Sequence, residues 1–295
     1  MRNDFCIFIL TNGRPDRVYT EQTLKECGNE YPVFLIVDDE DKTREDYEKK
    51  YPNQVFIFSK EDESKLLDTP DLSKDKRTIV YARNACFTIA KKLGFRFFLE
   101  LDDDYTDFSF RFPDGESLGR KKIENFSLVC DAFIDFLIES KAKTICFAQA
   151  GDFIGGLKAK TGGAYRKKLL RKSMNSFFCD TENEFRFIGR INEDVNTYTS
   201  EQIKGNLFFT VTDVALTQKA TQKNSGGMTE IYLDSGTFLK SFYSVIFSPS
   251  AVIVEPMSNG GGNTFNRIHH RVDWDACAPK IMSDTYKKRS EMNGE

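Results

Sequence analysis

The sequence lacks any long hydrophobic run. Among its 295 residues, no apolar stretch approaches the roughly 18 to 20 residues that a membrane span needs. The first residues, Met1–Asp4, lead directly into a strand-like segment and are too short and too soon acidic for a signal peptide. We therefore expect a soluble, cytoplasmic protein with no membrane partner.

Paired cysteines and the common nucleotide-binding loops are also missing. The seven cysteines include no Cys-x-x-Cys pair and are scattered over apolar segments. This pattern argues against a structural zinc site and predicts reduced thiols in the core of a cytosolic protein. The turn after the first strand-like run, Thr11-Asn12-Gly13-Arg14, matches neither GxGxxG nor GxxxxGK[ST]. That absence weighs against a Rossmann dehydrogenase and a P-loop enzyme.

Neither acidic nor basic residues predominate. Lys and Arg number 42 and Asp and Glu 45, for a net charge of -3, which excludes a wholly basic nucleic-acid coat protein but not a local basic patch. Hydrophobic residues make up 40% of the chain and include 27 Phe. This composition is sufficient for a packed core and too apolar for a disordered chain.

Short apolar runs alternate with amphipathic segments over the first hundred residues, which predicts βαβ units and a mainly parallel sheet. Strands are predicted at residues 5–10, 33–37, 55–58, 95–101, 144–148, 207–216 and 251–254. Helices are predicted between Pro15 and Gly28 and at residues 81–93, 123–138, 193–203 and 233–245, and loops at 59–77 and 155–172. No repeat or linker is present, so we expect a single α/β domain with a central sheet flanked by helices.

The strongest local signal is an apolar strand that ends in Asp102-Asp103-Asp104. At the carboxyl end of a central parallel strand, these side chains face the crevice where open α/β sheets bind ligands. Clustered carboxylates repel one another, and Mg²⁺ or Mn²⁺ bound to their oxygens would neutralise them and bridge to substrate phosphates. A solvated acidic turn, as also expected at 38–41, is the alternative interpretation.

A second signal is Glu193-Asp194 at the start of a predicted helix, with Asn192 placed to cap it. Carboxylates in a first turn are favoured by the helix dipole and need no further role. If one of them faces the cleft, it could instead act as a general base towards an acceptor hydroxyl.

Basic and imidazole groups supply weaker signals. Arg83 begins the helix that leads into the acidic strand and could offer bidentate contacts to phosphate or sugar oxygens. The only histidines, His269 and His270, could complete a metal shell, contact phosphate or lie on the surface. Residues 158–172 carry seven basic residues and no acid, which suits a polyanion or a solvated Lys-rich face.

Taken in order along the chain, these elements resemble those of GT-A glycosyltransferases. In that family an Asp-x-Asp motif holds a divalent metal on the diphosphate of a nucleotide-sugar, and Asp102 and Asp104 occupy its outer positions here. Inverting members take their base from a later Glu-Asp motif, which matches Glu193-Asp194, with Asp194 as the base. A C-terminal histidine often completes the metal shell, and His269 and His270 both fit.

Four motifs resemble those of the TET-associated glycosyltransferases encoded by bacteriophages. The matching segments are 82–84, 98–105, 171–174 and 189–195, within a resemblance that covers about residues 3 to 275. It implies that phage members glycosylate 5-hydroxymethylated pyrimidines in DNA, in the host cytoplasm, while a related eukaryotic protein is linked to sugar transfer onto protein. The negative net charge is at odds with a broad DNA-binding surface.

The resemblance implies a metal-dependent, inverting transfer from a nucleotide-sugar, with UDP the expected nucleotide, Mn²⁺ or Mg²⁺ the metal and 5-hydroxymethylcytosine in DNA the acceptor. A donor-binding half is expected at about residues 1–110, an acceptor-binding half at about 111–275 and a tail at 276–295. Alternatives are transfer to protein Ser or Thr, a nucleotidyltransferase, and a non-catalytic nucleotide-binding module.

Each role is assigned to particular residues by the same resemblance. The catalytic pair is Asp194 and Glu193. The donor-binding residues are Thr11, Asn12, Arg14, Asp38, Arg83, Asn84, Asp102 and Asp103. The acceptor- or phosphate-binding residues are Arg166, Lys168, Arg171, Lys172 and Asn263. The metal ligands are Asp102, Asp104, His269 and His270.

Overall fold

The computed structural model describes residues 1–70, 76–153, 157, 169–219, 239–257, 267–279, 282–283 and 286–288. Its strands are β1 (Phe5–Leu10), β2 (Val33–Asp38), β3 (Val55–Phe58), β4 (Phe97–Asp102), β5 (Tyr105–Asp114), β6 (Ser117–Lys122), β7 (Thr144–Gln149), β8 (Leu169–Leu170), β9 (Ser176–Asp180), β10 (Phe208–Gln218), β11 (Val252–Met257) and β12 (Arg267–Val272). Its helices are α1 (Tyr19–Glu26), α2 (Arg44–Lys50), α3 (Lys60–Lys65), α4 (Val80–Leu93), α5 (Phe126–Ser140), α6 (Glu193–Ile203), α7 (239–247) and α8 (Trp274–Cys277). Short 3-10 helices lie at Pro15–Arg17 and Ala150–Phe153.

Ten strands form the central sheet, in the order β3-β2-β1-β4-β9-β7-β10-β5-β6, with β8 paired to β10. The first four of these strands are parallel, and the carboxyl ends of β1 and β4 lie side by side where Leu10 pairs with Asp102. β11 and β12 form a separate two-stranded antiparallel sheet. The predicted α/β class, with a central sheet flanked by helices, is confirmed.

The β1 strand shows why the sheet needs helices on both faces. All six of its residues are buried. Phe5, Ile7 and Ile9 belong to the core layer that includes residues of α5, whereas Cys6 and Phe8 belong to the layer that includes residues of α4. A continuous apolar run is typical of a parallel strand covered on both sides. All seven cysteines are buried and free, which agrees with the expected core thiols.

The second part of the sheet contains antiparallel strands that the sequence analysis did not predict. β9 runs antiparallel between β4 and β7, and β5 and β6 form a hairpin that follows the acidic triplet directly. The segment 59–77, predicted as a loop, contains α3, whose first turn is capped by the Ser59 hydroxyl. Short polar helices carry little hydrophobic periodicity, so the pattern could not indicate this one.

The remaining predicted elements agree with the structure in part. α5 begins three residues later than predicted, where the Asn125 side chain accepts a hydrogen bond from the Leu128 N–H. Only part of the predicted helix at 233–245 and of the predicted loop at 155–172 falls within the described residues. Among the helices described here, none is long and apolar enough to cross a membrane.

Candidate active site

The acidic triplet lies at the carboxyl edge of the parallel strands, as predicted. Asp102 ends β4 with 23% of its side chain exposed, Asp103 is buried, and Asp104 is half-buried. Burial raises the pKa of Asp103 to about 6. Burial also raises the pKa of Asp104, to about 7, with further contributions from the negative charges of Asp102 and Asp103. The carboxyl groups at this edge therefore hold protons more tightly than exposed aspartates do.

Arg83 joins the acidic strand to the helix start that carries Glu193. Its Nη2 lies 3.2 Å from Asp102 Oδ1, and its Nε lies 3.1 Å from Glu193 Oε1. The guanidinium is only 2% exposed and lies over the rings of Phe177 and Phe187, at 4.8 and 5.7 Å from their centroids. The two acidic motifs therefore converge on one buried cation.

Glu193 and Asp194 begin α6 and are both buried. The Val195 N–H donates to Asp194 Oδ1 at 2.8 Å. Burial raises the pKa of Asp194, and burial together with the Asp194 charge raises the pKa of Glu193. A carboxylate whose proton affinity is raised in this way is a stronger base than an exposed one, which suits proton abstraction from a hydroxyl.

The predicted capping role of Asn192 is wrong. Asn192 adopts a left-handed conformation, with φ of 53°, and its side chain accepts no hydrogen bond from the first turn of α6. Its amide instead donates to the Lys240 carbonyl at 2.7 Å and to Ser244 Oγ at 3.2 Å. Asn192 therefore fastens the start of α6 to α7, which brings Lys240 into the surroundings of Asp194.

The turn after β1 is tied to Asp103. Thr11 Oγ1 donates to Asp103 Oδ2 at 2.7 Å, and Arg14 Nη2 lies 2.9 Å from Asp103 Oδ1. Tyr47 shares a 2.7 Å hydrogen bond with the Thr11 hydroxyl and accepts one from the Arg14 N–H. Three of the predicted donor-binding residues therefore form one connected group.

A neighbouring group forms at the end of β2. Asn12 Nδ2 donates to Asp38 Oδ2 at 2.6 Å, and Lys60 Nζ lies 2.9 Å from Asp38 Oδ1. Asn12 and Asp38 were predicted donor-binding residues. Lys60 was missed, because it stands in the segment that was predicted as a loop.

Asn84 was also predicted to bind donor, but its amide is engaged with the backbone. Its Nδ2 donates to the Phe187 carbonyl at 3.0 Å, and its Oδ1 accepts from the Phe187 N–H at 2.9 Å. Asn84 therefore holds the segment that packs over Arg83.

The predicted acceptor-binding residues separate in space. Lys172 forms an ion pair with Asp152, and its positive charge lowers the pKa of Asp194, so it lies on the catalytic side. Arg171 instead hydrogen-bonds Gln202 at the other end of α6, about 14 Å from Glu193 at 1.5 Å per helical residue. Arg166, Lys168 and Asn263 lie outside the described residues.

Asp102 and Asp104 fit a divalent cation that is shared with a substrate. Across the described ranges, no three His, Cys, Asp or Glu side chains form a group that could hold a metal. Mg²⁺ is commonly held by one or two carboxylates together with substrate phosphates, so a complete protein cage is not required. The half-buried Asp104, which forms no ion pair with any described residue, supplies oxygen ligands of the required type.

His269 and His270 lie next to each other on β12, and neither joins the aspartates in such a group within the described ranges. Burial lowers the pKa of His270 to about 4, so its imidazole is neutral at neutral pH. Its Nδ1 is buried and has no hydrogen-bond partner among the described residues. The ligand role of the two histidines stays a prediction.

Glu100, Asp152 and Lys240 complete the surroundings of the site and were not assigned a role from the sequence. Glu100 Oε2 lies 3.6 Å from Arg83 Nη1, and burial raises the pKa of Glu100 to about 8. The position of Glu100 in the middle of an apolar strand could have indicated a role, because burying a carboxyl group costs free energy. Nothing in the local pattern indicated Asp152 or Lys240.

Residues 5–227, about three quarters of the chain, match the TET-Associated Glycosyltransferase family. The chain belongs to this family. The resemblance drawn from the motifs is thereby confirmed, and the protein is a glycosyltransferase by family. No curated protein matches its sequence.

The solved structures that the chain matches share little sequence with it. S. aureus TarS 1-349 is 14% identical, with 74% of this chain and 61% of that chain covered and a TM-score of 0.41. Glucosyl-3-phosphoglycerate synthase from Mycobacterium tuberculosis, in complex with Mn²⁺ and UDP-glucose, is 8% identical, with 91% and 86% covered and a TM-score of 0.45. The chain therefore spans about three fifths of that TarS structure.

Proposed function

We propose that this glycosyltransferase takes its sugar from a UDP-sugar in a reaction that depends on Mn²⁺ or Mg²⁺. The observation that supports the proposal best is the contact of Arg83 with Asp102 and Glu193 at once. Through it, the edge of the sheet where α/β proteins bind ligands is joined to the start of α6, which also carries the candidate base Asp194. Residues 1–110 would form the donor-binding half, with the acceptor-binding half at about 111–275 and the tail at 276–295.

The nucleoside of the donor would lie against the turn after β1. Thr11, Arg14 and Asp103 form one hydrogen-bonded group there, and Asn12 and Asp38 form the next. Their contacts fix the orientation of each polar group before any ligand binds, which reduces the ordering cost of binding. Among the eight predicted donor-binding residues, Asn84 would act indirectly through the Phe187 segment, and the buried Asp103 would act through Thr11 and Arg14.

Asp102 and Asp104 would hold the divalent cation, with His270 as a further candidate ligand. Such a cation, when bound, neutralises the charge that develops on the departing nucleoside diphosphate. Arg83 supplies a fixed positive charge beside Asp102 and is already held in place by the protein. Preorganised charges of this kind stabilise a leaving group without further rearrangement.

Asp194 would accept the proton of the acceptor hydroxyl. One of its oxygens accepts from the Val195 N–H, which orients the carboxylate. Glu193 would act by holding Arg83 and not by taking the proton, because its carboxylate is engaged with the guanidinium. In-line attack by the deprotonated hydroxyl on the anomeric carbon would invert its configuration.

The acceptor that we favour is the hydroxymethyl group of 5-hydroxymethylcytosine in phage DNA. The name of the family, TET-associated, suggests modified DNA as the acceptor, and Lys172 on the catalytic side would supply a cation for a phosphate. A hydroxymethyl group lies in the major groove of duplex DNA, and a closed pocket would require extrusion of its base.

The test is a scan of nucleotide-sugars with Mn²⁺, offered with DNA that contains 5-hydroxymethylcytosine, with matched DNA that contains cytosine, and with Ser/Thr peptides. Release of the nucleoside diphosphate and the mass of the acceptor are read by mass spectrometry. We expect UDP release and a mass gain of one hexose or one N-acetylhexosamine with the hydroxymethylated DNA alone. Transfer to peptide and not to DNA would refute the acceptor, and release of pyrophosphate would refute the reaction class.

Transfer to DNA should also weaken steeply with salt, because each phosphate contact releases counterions. Activity on hydroxymethylated DNA that is insensitive to salt would contradict a role for the basic residues in binding its backbone.

A further inference from the structure

Glu100 carries a carboxyl group that no substrate can reach. It lies on β4 two residues before Asp102, so both side chains project from the same face of the sheet. Glu100 is 0% exposed, and its strand neighbours in register are Phe8 and Phe177. It therefore lies beneath the edge of the sheet where Asp102 is partly exposed.

The one cation that Glu100 contacts among the described residues is Arg83. Oε2 of Glu100 lies 3.6 Å from Arg83 Nη1, which is the guanidinium nitrogen that Asp102 and Glu193 leave unused. Neither the Glu100 oxygens nor Arg83 Nη1 has a hydrogen-bond partner in the described part of the chain. Each of the three guanidinium nitrogens thus faces a different carboxyl group.

Packing alone does not explain a carboxyl group at this position. A buried polar group without good hydrogen bonds costs free energy, and the preceding residue on the same face, Phe98, is apolar. Glu100 adds a carboxyl oxygen next to Arg83 Nη1, whereas Asp102 and Glu193 contact the other two guanidinium nitrogens.

We infer that Glu100 is a positioning residue, which holds the Arg83 guanidinium in the orientation that places Nε on Glu193 and Nη2 on Asp102. A planar guanidinium held on two sides only can pivot, and a third acceptor fixes its rotation. The inference rests on the proposed function, in which Arg83 faces the departing diphosphate. Glu100 then acts through Arg83 and not on the substrate.

The decisive pair of variants is Glu100→Met and Glu100→Gln. Methionine has a similar volume but no oxygen, whereas glutamine keeps an acceptor oxygen at the same distance from the backbone. We expect Glu100→Met to lower kcat/KM and the affinity for UDP with Mn²⁺ by roughly 10- to 100-fold, as loss of a supporting residue around a site does. Glu100→Gln should stay within about threefold of the wild type, because its side-chain oxygen can still face Arg83 Nη1.

A direct measurement is the crystal structure of Glu100→Met. Arg83 should lose at least one of its contacts to Asp102 and Glu193 there. Arg83 in its wild-type orientation would overturn the inference, as would unchanged affinity and turnover or equal losses in both variants. A Met variant that fails to fold would show a structural role and would overturn it as well.

Asp180→Leu is the matched control. Asp180 is a buried acid whose two oxygens bind Arg96 at 3.2 and 3.0 Å, at the opposite edge of the same sheet. Its loss should lower the melting temperature and leave the UDP affinity unchanged. The crystal structure shows the orientation of Arg83 directly, so it tests the inference without any activity measurement. If the wild type neither binds nor turns over a UDP-sugar, that result refutes the proposed function and leaves the inference about Glu100 to be decided by the crystal structure.

Discussion

The two sides of the candidate site differ in how far their polar groups are already paired. On the donor side, Thr11, Asn12 and Arg14 all bind carboxylates at 2.6 to 2.9 Å. On the catalytic side, Asp194 accepts a single hydrogen bond among the described residues, from the Val195 N–H. Gln149, at the carboxyl end of β7, has a buried Nε2 without a partner in the same part of the chain.

The difference fits two kinds of task. Paired groups keep their positions without a ligand, which suits recognition of a nucleotide that is the same in every turnover. An oxygen without a partner is available to take a proton, and burial raises the pKa of Asp194 towards the range that a base requires. Variants on the catalytic side should therefore change turnover, and variants on the donor side should change binding.

The largest effect is expected from Asp194→Asn. Asparagine keeps an oxygen for the Val195 N–H but cannot accept the proton, so kcat should fall about a thousandfold, within the range attributed to general bases. UDP affinity should stay near the wild-type value. Steady-state kinetics and calorimetric titration with UDP and Mn²⁺ measure the two quantities.

Glu201→Gln is the control on the same helix, since Glu201 binds Lys204 and Asn206 at its far end. Its kcat should not change. Wild-type turnover in Asp194→Asn would remove Asp194 from the mechanism.

The double variant Asp102→Asn, Asp104→Asn tests the edge that both sides share. Loss of two anionic oxygen ligands should weaken UDP binding in the presence of Mn²⁺ about 100-fold, equivalent to roughly 3 kcal/mol. Weak binding without the metal should change little. Titration calorimetry with and without EDTA gives both values, and full Mn²⁺-dependent affinity in the double variant would exclude these residues as ligands.

The parts of the molecule that the sequence predicted are those with a local cause. β1 is a buried apolar run. The acidic triplet begins at the last residue of β4, so this strand and the site at its end could be predicted from one short segment. Arg83 could be placed near them because α4 leads into β4. The hairpin of β5 and β6 also had a local signal, the Asp-Gly turn at Asp114 and Gly115, which was overlooked.

Other features depend on contacts between distant residues and had no such signal. β9 is a five-residue strand whose partners, β4 and β7, lie far away in the chain. Asn192 looks like a helix cap in sequence, but its amide binds α7 about fifty residues later. Consecutive residues such as Arg171 and Lys172 cannot be assigned to different ends of α6 until the backbone is known.

Lys60→Met tests the donor side alone. Its Nζ lies 2.9 Å from Asp38 and its side chain is 12% exposed, so removal leaves Asp38 with the Asn12 amide and the Glu40 N–H as donors. Loss of this largely buried ion pair should raise the KM for the donor about tenfold, with kcat little changed. Lys65→Met, one turn further along α3 and largely exposed, should leave both constants unchanged. A fall in kcat without a rise in KM would contradict the division between the two sides.

The smallest effects should separate the neighbours Arg171 and Lys172. Arg171→Ala removes a hydrogen bond to Gln202 at the distant end of α6, so it should lower Tm by about 2 to 4 °C and leave kcat/KM unchanged.

Lys172→Ala removes a positive charge that lowers the pKa of Asp194. The pKa of the base should then rise, and the acidic limb of the pH profile of kcat/KM should move to higher pH. Thermal unfolding and pH–rate profiles of the two variants give the comparison. An Arg171→Ala variant that shifts the pH profile as far as Lys172→Ala would mean that the positive charge of the whole segment, and not the position of Lys172, acts on Asp194.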